Sequence, residues 1–82
     1  MVIVAFDSRF ERSIRKIKDS RLKDQVKKQI TKIIKKPETG KPMRYTRKNT
    51  RELYVSSYRL SYMYLKKEEK IIFLELYHKN KQ

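Results

Sequence analysis

The chain has no cysteine and no tryptophan, and only one histidine, one glycine and two prolines among its 82 residues. Without cysteine there is neither a disulfide framework nor a thiolate zinc site, and one histidine does not supply a pair for metal binding or coupled acid–base work. Acids are also scarce. The nine Asp and Glu residues are scattered, with no D-x-D or E-x-x-H grouping, so a metal-dependent nuclease lacks its carboxylates. No run approaches the roughly 18 apolar residues that a membrane-spanning helix needs. The opening M-V-I-V-A-F-D-S has neither the basic leader nor the apolar core of a secretion signal. The expectation is a cytoplasmic protein with no metal, no cofactor and no membrane partner, whose chemistry uses side chains alone.

Positive charge is abundant instead. Lys and Arg number 23, giving a net charge of +14. Such an imbalance costs self-repulsion in the compact state and signals a polyanionic or acidic partner: nucleic acid first, an acidic protein second, an anionic membrane third. The length fits one domain, residues 1–82, and a chain of this size buries only about 60 to 65% of the surface its unfolded form exposes. An active site would be a shallow surface shared by several elements.

Val2 to Phe6 is short, β-branched and apolar, which predicts a buried strand. Ser8 to Glu11, S-R-F-E, matches a capping box, and Phe10, Ile14 and Ile17 follow at helical spacing, predicting a helix from about Ser8 to Lys18. Asp19 and Ser20 then offer a break and a new cap. Leu22, Val26, Ile30, Ile33 and Ile34 form the stripe of a longer second helix that stops before Pro37. The short link predicts an antiparallel hairpin of helices. P-E-T-G-K-P, Pro37 to Pro42, is the main turn region, and Lys41 to Arg51 has five basic residues and no acid.

R-E-L-Y-V-S-S-Y-R-L-S-Y-M-Y-L, Arg51 to Leu65, alternates like two strands around Ser56 and Ser57. A two-residue turn there sets Val55 against Tyr58, Tyr54 against Arg59, Leu53 against Leu60 and Glu52 against Ser61. Parity then puts Leu53, Val55, Tyr58, Leu60 and Tyr62 under the helices and leaves Glu52, Tyr54, Arg59, Ser61 and Met63 on an open face. The last strand, Ile71 to Tyr77, is expected to send Ile72, Leu74 and Leu76 to the core, with Glu75, Tyr77 and Lys79 beside Arg59. The order β-α-α-β-β-β is an α+β domain: an N-terminal strand and a helical hairpin packed on one face of a mainly antiparallel sheet of three to four strands.

This pattern resembles the RelE/ParE toxin superfamily over nearly the whole chain. The matching pieces are F-x-R-S-I-R-K-I-K, the block K-x-P-E-x-G-K-P-x-R, then R-E-L-x-V and Y-R-L-x-Y, and the final I-I-F-L-E-L-Y-H-K. The resemblance implies a toxin restrained by an acidic, helical antitoxin in a heterotetramer or higher complex. RelE-like members cut mRNA on the ribosome without a metal; ParE-like members poison DNA gyrase instead. In the RelE-like enzymes basic residues on the open face hold the scissile phosphate, and the Y-R-L arginine among them is Arg59 here. The basic residue after the last strand corresponds to Lys79, with His78 beside it. Two positions that are often basic in the family carry Glu52 and Tyr54, and the family's C-terminal tyrosine has no counterpart before Gln82. Another branch uses a glutamate, an arginine and a histidine, which makes Glu52, Arg59 and His78 a coherent set.

Each residue also has a plainer reading. Arg59 suits phosphate because its planar fork matches phosphate oxygens, and it equally fits a solvated strand position. Glu52 is a base or the partner of an ion pair with Arg59. His78 is an acid or base, or a structural histidine with the parity of Leu76. Lys79 is a phosphate contact or part of a basic tail. Tyr54 and Tyr77 stack on RNA bases or pack, as Tyr58, Tyr62 and Tyr64 are expected to do. Arg44, Arg47, Lys48 and Arg51 form the best cluster for the RNA backbone.

Overall fold

The computed structural model describes residues 2–43 and 48–78, in the order β1 (Ile3–Phe6), α1 (Ser8–Lys16), α2 (Ser20–Lys35), β2 (Lys41–Pro42), β3 (Thr50–Val55), β4 (Tyr58–Leu65) and β5 (Lys70–His78). Both helices start on aspartates. The Asp7 carboxylate accepts from the backbone N–H of Arg9, and the Asp19 carboxylate accepts from that of Arg21 at 2.9 Å. The first cap is thus one residue earlier than the Ser8 capping box predicts, because Asp7 already meets the free N–H at the helix start. α1 stops at Lys16, two residues short of the expected end, and Ile17 turns out to extended geometry while remaining buried. α2 ends before Pro37, as expected.

The five strands form one sheet in the order β1-β5-β4-β3-β2. β1 runs parallel to β5 at one edge, and all other pairs are antiparallel. The strand beyond the expected three or four is β2, two residues paired with Glu52 and Arg51. The β3–β4 register is the one the Ser-Ser turn predicts, with Val55 opposite Tyr58 and Tyr54 opposite Arg59.

The core lies between the helices and one face of the sheet. Phe10, Ile17, Val26 and Ile33 from the helical layer join Val55, Leu60, Tyr62, Ile71, Phe73 and Leu76. Phe73 anchors an aromatic group, its ring centroid 5.3 Å from Phe6, 5.5 Å from Phe10 and 6.1 Å from Tyr62.

β5 corrects the parity expectation. Ile71 and Phe73 are fully buried, whereas Ile72 and Leu74 are half-buried. The register shifts at Ser61/Tyr62: Tyr62 faces Phe73 but Ser61 faces Glu75, leaving Leu74 as an extra residue. This bulge swaps the faces of the strand, so Leu76, Glu75 and Tyr77 hold their expected sides while the residues before it do not.

The 37–40 turn is tied under the sheet. The Tyr62 hydroxyl donates to the Pro37 carbonyl at 2.7 Å and accepts from the Gly40 N–H at 2.9 Å. A Cβ on Gly40 would come within 2.9 Å of the Glu52 carbonyl oxygen and of two Tyr62 ring-side atoms, so only glycine fits this approach.

Candidate functional site

Register on the three central strands builds the open face. Because Tyr54 pairs with Arg59 and Arg59 with Tyr77, these three side chains lie in one row across β3, β4 and β5. One step along, Glu52, Ser61 and Glu75 form the next row by the same pairing. Residues two apart on a strand share a face, so both rows look away from the helices.

Arg59 sits at the centre. Its Nη1 lies 3.9 Å from Glu52 Oε1, with the two side chains 24% and 23% exposed, and its guanidinium carbon is 5.2 Å from the Tyr54 ring centroid. Tyr54 is the most open large side chain here at 63%. The other Glu52 oxygen, Oε2, accepts from the Tyr77 hydroxyl at 3.3 Å. Burial, followed by the Glu52 carboxylate, pushes the Tyr77 phenol above its ordinary value, while Arg59 pulls it down. A fork-shaped cation, a carboxylate and a phenol thus meet within a shallow patch flanked by an exposed aromatic face. Such a patch can bind a phosphate, hold a proton acceptor beside it and stack a planar base.

The open face carries a second ion pair that sequence reading leaves unassembled. Arg9 Nη1 donates to Glu75 Oε1 at 2.9 Å, and its Nε donates to Asp7 at 3.2 Å. Parity places Glu75 correctly, but a partner 66 positions away gives no local signal.

Other expected site residues fall elsewhere. His78 pairs with Tyr58 in the strand register and meets that ring edge-on at 5.3 Å, on the helix-covered side. It lines a polar pocket of about 540 Å³ with Asp19, Arg21, Gln25, Ser56 and Ser57. Glu52 and Arg59 are therefore brought together, and His78 is not brought to them. The Arg51 guanidinium is taken up by the turn: Nη1 donates to the carbonyls of Glu38 at 3.1 Å and Gly40 at 2.8 Å. Lys48 is exposed beside an open pocket of about 520 Å³ that Arg51, Tyr64 and Lys66 also line. Arg44, Arg47 and Lys79 lie outside the described residues. Among the described residues no group of three or more His, Cys, Asp and Glu side chains is placed to hold a metal, and no helix is long and apolar enough to cross a membrane.

A separate apolar groove of about 520 Å³ runs between the helices, lined by Phe6, Phe10, Ile14, Val26 and Ile30 and rimmed by Glu11, Arg15, Lys23 and Lys27. Phe6, 45% exposed, lies at its sheet end.

The chain resembles solved toxin structures over almost its full length. The RelBE toxin-antitoxin complex of E. coli matches with a TM-score of 0.80 at 19% identity, covering 95% of this chain and 96% of that one. The RelBE2 complex of Mycobacterium tuberculosis matches with a TM-score of 0.78 at 23% identity, covering 95% and 98%. A YoeB/ParE toxin of Agrobacterium tumefaciens matches with a TM-score of 0.81 at 10% identity, covering 94% and 98%. At these identities the likeness shows the fold. No curated protein matches by sequence. The family model described as the ParE toxin of type II toxin-antitoxin systems matches residues 4–82, so the chain belongs to that family, within the RelE/ParE superfamily of toxins.

Proposed function

We propose that this toxin is an endoribonuclease that cuts mRNA on the ribosome and so stops translation, with its reacting centre at Arg59 and Glu52. The observation that supports this most is the convergence of Glu52, Tyr54 and Tyr77 on Arg59. Glu52 takes the proton of a ribose 2′-hydroxyl, and the freed oxygen attacks the adjacent phosphorus. Arg59 holds the charge that grows on the phosphorane oxygens. The P–O5′ bond then breaks, the 5′-oxygen takes a proton, and the products end in a cyclic 2′,3′-phosphate and a 5′-hydroxyl. The family resemblance makes Lys79 a further contact to the phosphate, and the helix-side position of His78 speaks against a part for it in this step. Tyr54 stacks on a neighbouring base. Lys48, with Arg44 and Arg47, supplies backbone contacts that carry little sequence information.

Arg59→Ala tests the reading. Losing a donor to transition-state charge costs about 100 to 1,000-fold in rate, and Arg59→Lys restores only part, because a point charge does not reproduce the fork. Cleavage of mRNA on programmed ribosomes, with thermal unfolding run alongside, measures both. A normally folded Arg59→Ala that cuts at the wild-type rate would sink the assignment.

A non-enzymatic reading, with a protein target such as DNA gyrase, has one observation in its favour. Two arginines of the open face are each matched by a glutamate, Arg59 by Glu52 and Arg9 by Glu75, so their charge is offset within the patch. A supercoiling assay separates the two: inhibition of gyrase with intact mRNA supports the second.

The antitoxin partner fits the groove between the helices. An acidic amphipathic helix would lay apolar residues on Phe6, Ile14 and Ile30 and its acids against Arg15, Lys23 and Lys27. Purification of the cytoplasmic complex with the antitoxin from the native operon, followed by native mass spectrometry, tests the pairing and the heterotetramer or higher assembly. Ile14→Asp and Ile30→Asp should release the partner while leaving cleavage in place.

A further inference from the structure

The contact between Tyr77 and Glu52 spans two strands. Glu52 is on β3 and Tyr77 on β5, with β4 between them, and neighbouring strands lie about 4.8 Å apart. Only two long side chains leaning toward each other close that gap, and their line passes between Arg59 and Ser61. Ser61 is buried although it lies on the face away from the helices. The bridge fixes the carboxylate at both ends: Oε2 by the Tyr77 hydroxyl at 3.3 Å, Oε1 by Arg59 at 3.9 Å. Without the phenol, Glu52 has three side-chain torsions to order and, among the described residues, the loose ion pair with Arg59 to order them.

We infer that Tyr77 is a positioning residue that holds the Glu52 carboxylate beside Arg59, rather than a platform on which an RNA base stacks. The functional part of this inference rests on the endonuclease reading of the Arg59 site. The phenol does not suit the acid role, because it sits on the same side of the centre as the base it touches, whereas in-line cleavage sets base and acid on opposite sides of the phosphorus. What it can do is keep one carboxylate oxygen occupied and the other turned to the cation. A base already in place needs no ordering when the substrate arrives.

Two measurements on the full chain test this. Tyr77→Phe keeps the ring and removes the hydroxyl, so a stacking role predicts wild-type kinetics. Positioning predicts kcat lower by roughly 10 to 100-fold at unchanged KM, since a loosely held base misses its geometry after binding is complete. The second reads the contact without any catalysis. The Tyr77 Cζ signal in 13C-tyrosine-labelled protein is followed through alkaline pH in wild type and Glu52→Gln. Burial, Glu52 and Glu75 raise its midpoint and Arg59 lowers it. Removing the Glu52 charge should bring the midpoint down and move the neutral-state signal. An unmoved signal and midpoint overturn the inference, as does Tyr77→Phe with wild-type kcat. If the wild-type chain cuts no RNA, the endonuclease reading falls, and the Cζ signal alone decides whether Tyr77 holds Glu52.

Discussion

The helix-covered face of the sheet presents Leu60, Tyr62, Ile71 and Phe73, all fully buried, while the open face of the same strands presents Glu52, Tyr54, Arg59 and Tyr77 at intermediate or high exposure. The buried core of the covered face is apolar except for the Tyr62 hydroxyl, which is satisfied on both sides by the 37–40 turn. On the open face Arg59 is paired with Glu52 at 3.9 Å and Arg9 with Glu75 at 2.9 Å. Side chains one position apart on β4 thus do opposite work: Leu60 closes the core and Arg59 leaves it. Stability belongs mainly to one face, and the chemistry we propose to the other.

The largest effect that would sharpen this contrast is Phe73→Ala. It removes a ring in contact with Phe6, Phe10 and Tyr62, and a buried Phe to Ala change costs about 3 to 5 kcal/mol. A domain of this kind has only about 5 to 15 kcal/mol in total. Tyr54→Ala, on the open face, should cost about 1 kcal/mol at most, the scale of an exposed cation–π contact. Urea titration of both variants measures the gap, and comparable losses would break the division of labour. Next in size is Gly40→Ala. Its methyl group would meet the Glu52 carbonyl and Tyr62, forcing the turn away from the sheet and loosening the Arg51 and Tyr62 bonds. Overpacking of this sort costs about 1 to 3 kcal/mol, seen as a fall in Tm of roughly 4 °C or more.

How far the sequence discloses these faces depends on the strand. β3 and β4 alternate clearly, so the Ser-Ser turn and parity together place Arg59, Glu52 and Tyr54 as observed. After Lys70, β5 reads I-I-F-L, an unbroken apolar run in which parity carries no information, and the register shift that leaves Leu74 as an extra residue gives no local signal. His78 and Arg51 show the other limit. The first follows the parity of Leu76 to the covered side, and the second turns its guanidinium to carbonyls that a sequence does not locate. The Arg9–Glu75 pair joins residues from opposite ends of the chain, a juxtaposition only the β1–β5 pairing creates.

A smaller effect tests the two phenols against each other. Burial raises both Tyr62 and Tyr77 above the ordinary value of 10.0. The folded state then keeps protons that the unfolded state releases, so the stabilising contribution is full below about pH 10 and is lost as pH rises through the raised folded values. Unfolding free energy should fall over that range. Lysines titrate there too, so the informative quantity is the difference between wild type and each Tyr→Phe variant. Tyr62→Phe should flatten the fall more than Tyr77→Phe, because the covered phenol is desolvated and the open one is only half-buried. The reverse order would contradict the assignment of faces.

The smallest expected effect concerns the turn that sorts the faces. Ser56 holds a positive φ of 57° in the two-residue link between β3 and β4. A non-glycine residue is strained there by its Cβ, whereas glycine reaches this region at no steric cost. Ser56→Gly should stabilise the fold by about 0.5 to 1 kcal/mol, the relief of strain being offset in part by extra freedom in the unfolded chain. More telling is what should stay fixed. The register already pairs Val55 with Tyr58, so the variant should keep Arg59 on the open face and the Tyr54–Arg59 contact in place. Thermal unfolding reads the gain, and cross-strand NOEs between Tyr54 and Arg59 read the register. A gain in Tm with those NOEs lost would mean that a slipped hairpin is accessible to this sequence. The division between a packed face and a working face would then depend on Ser56, rather than on the alternation of β3 and β4.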